Sequence, residues 1–116
     1  MNGTNSVLSS IEDIRATGVR VDDDTLTVDL EDGRSITAPI IWYPRLEHGN
    51  AKERSRYKIV GQGTAIHWPD LDEDLSVSSI ILGRKSGESR QSFERWMAAR
   101  REKQARTHIP VIAQTS

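Results

Sequence analysis

Val19-Arg20-Val21, followed by Thr25-Leu26-Thr27-Val28-Asp29-Leu30, alternates apolar with polar side chains at a period of two. Successive side chains of a strand point to opposite faces, so this pattern predicts antiparallel strands with one face covered and the other wet. Asp22-Asp23-Asp24, between the two runs, predicts an acidic turn whose side chains satisfy local amides. Asp32-Gly33 predicts a tight hairpin, because Gly accepts the positive φ that such turns need. Ser35 to Ala38 reads as a third strand with Ile36 toward the core, and Pro39 ends it by lacking an N–H. Residues 16–39 are therefore expected to form a three-stranded meander.

Beyond the meander the punctuation changes. Pro44, in Ile40-Ile41-Trp42-Tyr43-Pro44-Arg45-Leu46, suits the first turn of a helix. Asn50 with Glu53 makes a capping box, which predicts a second short helix over Ala51 to Arg56. Lys58 to Val60 and Ala65 to Trp68 read as two short strands around the turn Gly61-Gln62-Gly63, and Pro69 stops the second. An acidic loop, Asp70 to Asp74, leads to Ser76, the cap of a helix over Val77 to Leu82 that Gly83 closes. Before the meander, residues 1–15 are polar and weakly patterned, a mobile arm in which Ser10 and Asp13 cap at most one turn. After Gly83, residues 84–91 read as a linker and residues 92–106 as a helix. Its apolar stripe is Phe93, Trp96 and Met97, and a tail covers 107–116. The expected class is α+β: a small antiparallel sheet, made of the meander plus two short strands, with short helices in a domain over 16–83. A basic amphipathic helix is appended to it.

Composition narrows the function classes. The 116 residues include no Cys, which excludes a disulfide scaffold, a Cys-ligated zinc or iron–sulfur site and a thiol nucleophile. No apolar run reaches the roughly 18 residues of a membrane helix, and the start MNGTNSV is no signal peptide, so a soluble cytoplasmic protein is expected with no membrane partner. The net charge of −1 conceals an asymmetry. Residues 1–83 carry 8 basic and 14 acidic side chains, and residues 84–116 carry 8 basic and 3 acidic ones. An acidic body thus bears a basic appendage.

Sequence motifs for catalysis and metal binding are weak. Asp70, Asp72 and Asp74 imitate the start of a calcium loop, but Leu75 stands where Gly is needed and Ile81 where Glu is needed. His48, His67 and His108 show no i, i+4 pairing, so no metal site is expected. His67 is the candidate general base, oriented by Asp72 or Asp74, although no nucleophile or oxyanion donor accompanies it and a structural histidine is the simpler reading. No catalytic residue and no cofactor are assigned. Core packing is expected for Trp42 and Trp68. Trp96, on the appended helix, is the expected interface anchor.

One resemblance carries further. Asp32-Gly33-Arg34-Ser35-Ile36, Trp42-Tyr43-Pro44-Arg45-Leu46 and the run from Ile66-His67-Trp68-Pro69 through Asp70-Leu71-Asp72-Glu73-Asp74-Leu75-Ser76-Val77 match, in order and spacing, the bacterial domain-of-unknown-function family numbered 2442. The segment from Ser92 to Arg101 is similar to an extension in some members. The resemblance implies a small α+β domain and a neighbouring small protein as partner, in an arrangement like that of a toxin and its antitoxin. Some members add a helix-turn-helix domain, for which this chain has no room. No catalytic residues transfer.

The reading that follows is a non-enzymatic, antitoxin-like or regulatory module that binds a protein partner. Trp42, Tyr43, Arg45, His67, Trp68, Asp72, Glu73 and Asp74 are expected to shape one surface, whose carboxylates steer toward basic groups on the partner. Phe93, Trp96 and Met97 form a second patch, suited to a partner or to a homodimer. The alternative is nucleic-acid contact, with Arg95, Arg100, Arg101, Lys103 and Arg106 neutralising phosphates without reading sequence.

Overall fold

The computed structural model describes residue 11 and residues 13–115, with side chains as far as residue 105. The Ser10 cap, most of the expected arm, and the side chains of Arg106, His108 and the tail lie outside the described residues. The chain divides into two compact units between Ser86 and Gly87.

The first unit opens with the meander: β1 (Ala16–Val21), β2 (Thr25–Leu30) and β3 (Ser35–Pro39), antiparallel in the order β1-β2-β3. Val19, Leu26, Val28, Leu30 and Ala38 are buried, as the alternation requires. The opposite face is polar and cross-linked. Asp29 accepts hydrogen bonds from Arg20 Nη1 at 2.8 Å and from the Ser35 hydroxyl at 2.7 Å, and the Thr27 and Thr37 hydroxyls meet at 3.0 Å.

Each turn of the meander is closed by an aspartate. The backbone N–H groups of Asp24 and Thr25 donate to Asp22 Oδ1 at 2.8 and 2.7 Å. Those bonds hold the Asp22 carboxyl below its ordinary value. At the second turn the Gly33 N–H donates to the Leu30 carbonyl and the Leu30 N–H to the Arg34 carbonyl, with Gly33 at φ 94. This is a three-residue hairpin loop with glycine in the left-handed position. Asp32 accepts from Arg34 Nε at 2.8 Å and from the Arg34 N–H at 3.0 Å.

A 3₁₀ turn over Ile40–Trp42 leads into α1 (Pro44–Glu47), which carries Pro at its first position, and α2 (Ala51–Ser55) follows. The Asn50/Glu53 capping box is present in both directions, at 2.8 and 2.9 Å. Among the described residues of the unit, Arg54 is the buried charge. Its Nε and Nη2 donate to the carbonyls of Leu46 and Glu47 at 2.8 and 2.7 Å, and its Nη1 donates to Asp23 at 2.8 Å. The end of α1, α2 and the first turn of the meander are thereby fastened to one guanidinium.

The second sheet differs from expectation by one strand. β4 (Lys58–Val60), β5 (Ala65–Trp68) and β6 (Glu73–Ser76) form an antiparallel sheet of their own, so Glu73 and Asp74, expected in the acidic loop, begin an edge strand. Acidic residues have poor strand propensity, but Glu73 and Leu75 fall on one face and Asp74 and Ser76 on the other. β4 and β5 pair Val60 with Ala65, and the Thr64 N–H donates to the Gly61 carbonyl at 3.2 Å. Gln62 (φ 59) and Gly63 (φ 97) are thus the two central residues of a hairpin turn with both φ positive. A Cβ on Gly63 would stand 2.7 Å from Cβ of Arg15, so the turn also needs glycine there to lie against the start of β1.

Ile66, Trp68 and Leu71 are fully buried with Leu26, Ile40, Tyr43 and Leu46, which makes one core beneath both sheets. α3 (Val77–Ile81) adds Val77 and Ile80. Ser76 caps its start. Its end is a glycine motif in which the Gly83 and Arg84 N–H groups return to the Ile80 and Ser79 carbonyls. The second unit contains α4 (Arg90–Thr115), which begins two residues earlier than expected and takes in residues 107–115, expected as a tail.

Candidate functional site

The turn between β5 and β6 is held from two sides. Pro69–Leu71 is a 3₁₀ turn with Leu71 buried, and Asp72 follows in the left-handed conformation at φ 50. Asp tolerates that conformation better than most residues. Arg45 Nη1, on α1, donates to the Asp72 carbonyl at 2.8 Å and lies 3.6 Å from its carboxylate. Arg56 lies 3.5 Å from Asp70. The Arg45 side chain is only 15% exposed, whereas that of Asp72 is 85% exposed. The backbone of the turn is therefore fixed while its carboxylate stands in water.

The expected cluster divides among three environments. Tyr43 and Trp68, both named for the partner surface, are core residues at 1% and 0% exposure, so neither reaches a partner directly, and Trp68 packs in the core as its aromatic bulk led one to expect. The Trp68 indole N–H is satisfied by the Arg54 carbonyl at 3.0 Å. Burial raises the Tyr43 hydroxyl above its ordinary value, and the nearby Glu73 adds to the shift. Trp42, named both for the core and for the partner surface, is half-buried, with the Lys85 ammonium 5.5 Å from its ring centre. It adjoins Ile41, the most exposed large apolar side chain among the described residues at 64%. Asp74 and His67 lie on the outer face of the second sheet as a cross-strand pair, His67 Nδ1 standing 2.6 Å from Asp74 Oδ1. Asp74, not Asp72, thus orients the imidazole.

In the second unit Phe93 and Trp96 stack at 5.6 Å, and the Arg100 guanidinium lies 4.7 Å from the Trp96 ring centre. Met97 is half-buried beside them in sequence, Arg95 and Arg101 are exposed, and Lys103 follows a turn later on α4. Among the described residues no three His, Cys, Asp or Glu side chains converge as a metal-holding group, and no helix is long and apolar enough to cross a membrane. Sequence reasoning missed the clamp residues Arg54 and Arg56. Their carbonyl and carboxylate partners lie on other elements, so no local pattern announces them.

The profile of a family described as a protein of unknown function (DUF2442) matches residues 16–86. The chain belongs to the DUF2442 family. The match extends three residues past the expected domain end at Gly83, to Ser86, whose N–H donates to the Trp42 carbonyl at 2.9 Å. α4 follows the DUF2442 domain as the expected extension. Two solved structures are similar to this DUF2442 chain. One, the crystal structure of a protein of unknown function from Rhodospirillum rubrum, is 31% identical with a TM-score of 0.58, and the match covers 66% of this chain and 94% of that one. The other, the solution structure of an uncharacterised protein from Chromobacterium violaceum, is 18% identical with a TM-score of 0.56, covers 84% of this chain and 88% of that one, and is alike in fold. No curated protein matches the chain.

Proposed function

We propose that this DUF2442 protein is a non-enzymatic, antitoxin-like or regulatory module of the cytoplasm that binds a basic protein partner through the β5–β6 turn. One observation carries the reading: two arginines fix the turn while the Asp72 carboxylate remains almost fully hydrated. A pre-ordered carboxylate loses little conformational freedom on meeting a cation, and its charge speeds encounter more than it adds affinity. Ile41 and the half-buried Trp42 supply exposed apolar area in the segment that precedes the Arg45 clamp. The partner expected from the family arrangement is the small protein encoded beside this one.

Co-expression of the chain with its genomic neighbour tests the proposal. The expected result is a co-purifying complex that Asp72→Lys weakens at least about tenfold, while the circular dichroism spectrum is unchanged. Recovery of the chain alone with the neighbour expressed, or a complex indifferent to Asp72→Lys, overturns it.

The exposed Arg95 and Arg101 of α4 favour a second reading, phosphate contact with nucleic acid. About five cations give weak binding that falls steeply between low and moderate salt. Titration of labelled duplex at two salt concentrations distinguishes the readings, and no binding at either excludes this one.

A further inference from the structure

The outer face of the second sheet has a charge order that inverts from one edge to the other. Lys58 on β4, His67 on β5 and Asp74 on β6 are register partners in one row, and Val60, Ala65 and Ser76 make the next. Ile66 and Trp68 point the other way, into the core, so these six side chains share the wet face. Lys58, Asp74 and Ser76 are exposed, and Val60 is exposed at 39%. The first row reads cation, imidazole, carboxylate. The second reads large apolar, small, small. His67 is fixed within its row: a carboxylate only accepts, so the 2.6 Å contact with Asp74 requires the proton on Nδ1 and aims Nε2 outward.

We propose that this face is a self-association surface, on which a second copy of the chain packs about a two-fold axis running along β5. Such an axis lays β4 of one copy over β6 of the other. Lys58 then meets the partner's Asp74, and Asp74 meets the partner's Lys58. Val60 meets the small Ser76 of the partner subunit, and Ala65 meets its own equivalent. A two-fold contact must complement itself, and a row with opposite charges at its two ends does so. A small anionic ligand fits less well, because the Asp74 carboxylate would repel it, and no nucleophile accompanies the imidazole for chemistry.

Area sets the strength. Three strands about 4.8 Å apart make a face far smaller than the roughly 800 Å² per partner of a stable interface. The dimer is accordingly weak, dependent on concentration and loosened by salt. This inference is independent of the β5–β6 turn reading, and its test uses the full chain without any partner.

Sedimentation velocity from about 10 μM to 1 mM at low salt is expected to show a reversible monomer–dimer equilibrium. Lys58→Glu alone and Asp74→Lys alone each place like charges at both contacts, and each is expected to weaken self-association at least about tenfold. An equimolar mixture of the two variants regains the dimer as a mixed species, because every reversed charge then meets its opposite. Both positions are at the surface, and amide spectra matching wild type verify the fold. A chain that stays monomeric throughout the range overturns the proposal. So does a dimer insensitive to both variants, which would place association elsewhere, or a mixture that does not recover.

Discussion

Gln62 stands at φ 59 in a hairpin turn whose central positions favour Gly or Asn. A left-handed conformation costs an ordinary residue about 1–2 kcal/mol, so Gln62→Asn is expected to stabilise the domain by about 1 kcal/mol and to raise Tm by several degrees. Differential scanning fluorimetry measures the change, and an unchanged or lower Tm would count against the turn assignment. Arg54 predicts the opposite sign. Arg54→Met keeps much of the apolar stem but leaves the Leu46 and Glu47 carbonyls without their guanidinium donors. The Leu46 carbonyl still accepts from the Gly49 N–H, so at about 1–3 kcal/mol for the one acceptor left unsatisfied, Glu47, a loss of about 1–3 kcal/mol is expected in urea denaturation. Its ion pair adds little to this figure, because the Asp23 side chain is almost wholly solvated. Nothing in the run Ala51-Lys52-Glu53-Arg54-Ser55 singles out Arg54 from its neighbours, since its three acceptors come from α1 and from the first turn of the meander.

At the scale of elements, local signals foretold most of the architecture. The alternation in β1 and β2, the Asn50/Glu53 box, the Ser76 cap and the Gly83 stop are each a residue type demanded by backbone geometry within a few positions. β6 escaped because its four residues, Glu73 to Ser76, resemble a loop in composition, and only pairing with β5 makes them a strand. The meander also carries an acid-sensitive feature. Asp22 is held below its ordinary value of 3.8 chiefly by the Asp24 N–H, Asp29 by the Ser35 hydroxyl and then Arg20, and Asp32 by the Arg34 guanidinium. A depressed folded value means that the stabilisation is present above the unfolded value and is lost as pH falls through the folded one. The urea midpoint is therefore expected to hold steady above about pH 4 and to decline below it. Asp22→Asn keeps an amide oxygen as acceptor but cannot titrate, so its midpoint should decline less over that window. An equal decline would show that the Asp22 bonds are absent in solution.

For the whole molecule, the division between Ser86 and Gly87 makes a direct prediction. A chain ending at Ser86 retains the buried core of both sheets, the Arg54 clamp and the Ser86 bond to Trp42. It is expected to unfold cooperatively with the amide spectrum of the first unit preserved. Loss of dispersion in that spectrum would mean that α4 is needed for the fold. Parts of the candidate site were legible in advance: the acidic run, the Pro69 stop and the family motif all stood in the chain as written. The roles within that site were less so, since Tyr43 and Trp68 are core while Trp42 is half-exposed. Apolar bulk says that a side chain gains by burial, not which of several adjacent aromatic residues the packing admits.

Sequence alone determined what depends on neighbours along the chain: strand period, turn chemistry, helix caps, the charge division and the DUF2442 motif. Tertiary structure alone decided what depends on distant partners. It made β6 a strand, gave His67 to Asp74 rather than Asp72, and placed Arg45, Arg54 and Arg56 as clamps. Backbone conformation is set over a few residues by sterics and local hydrogen bonds, whereas a charged side chain takes whichever acceptor the folded chain brings within about 3 Å.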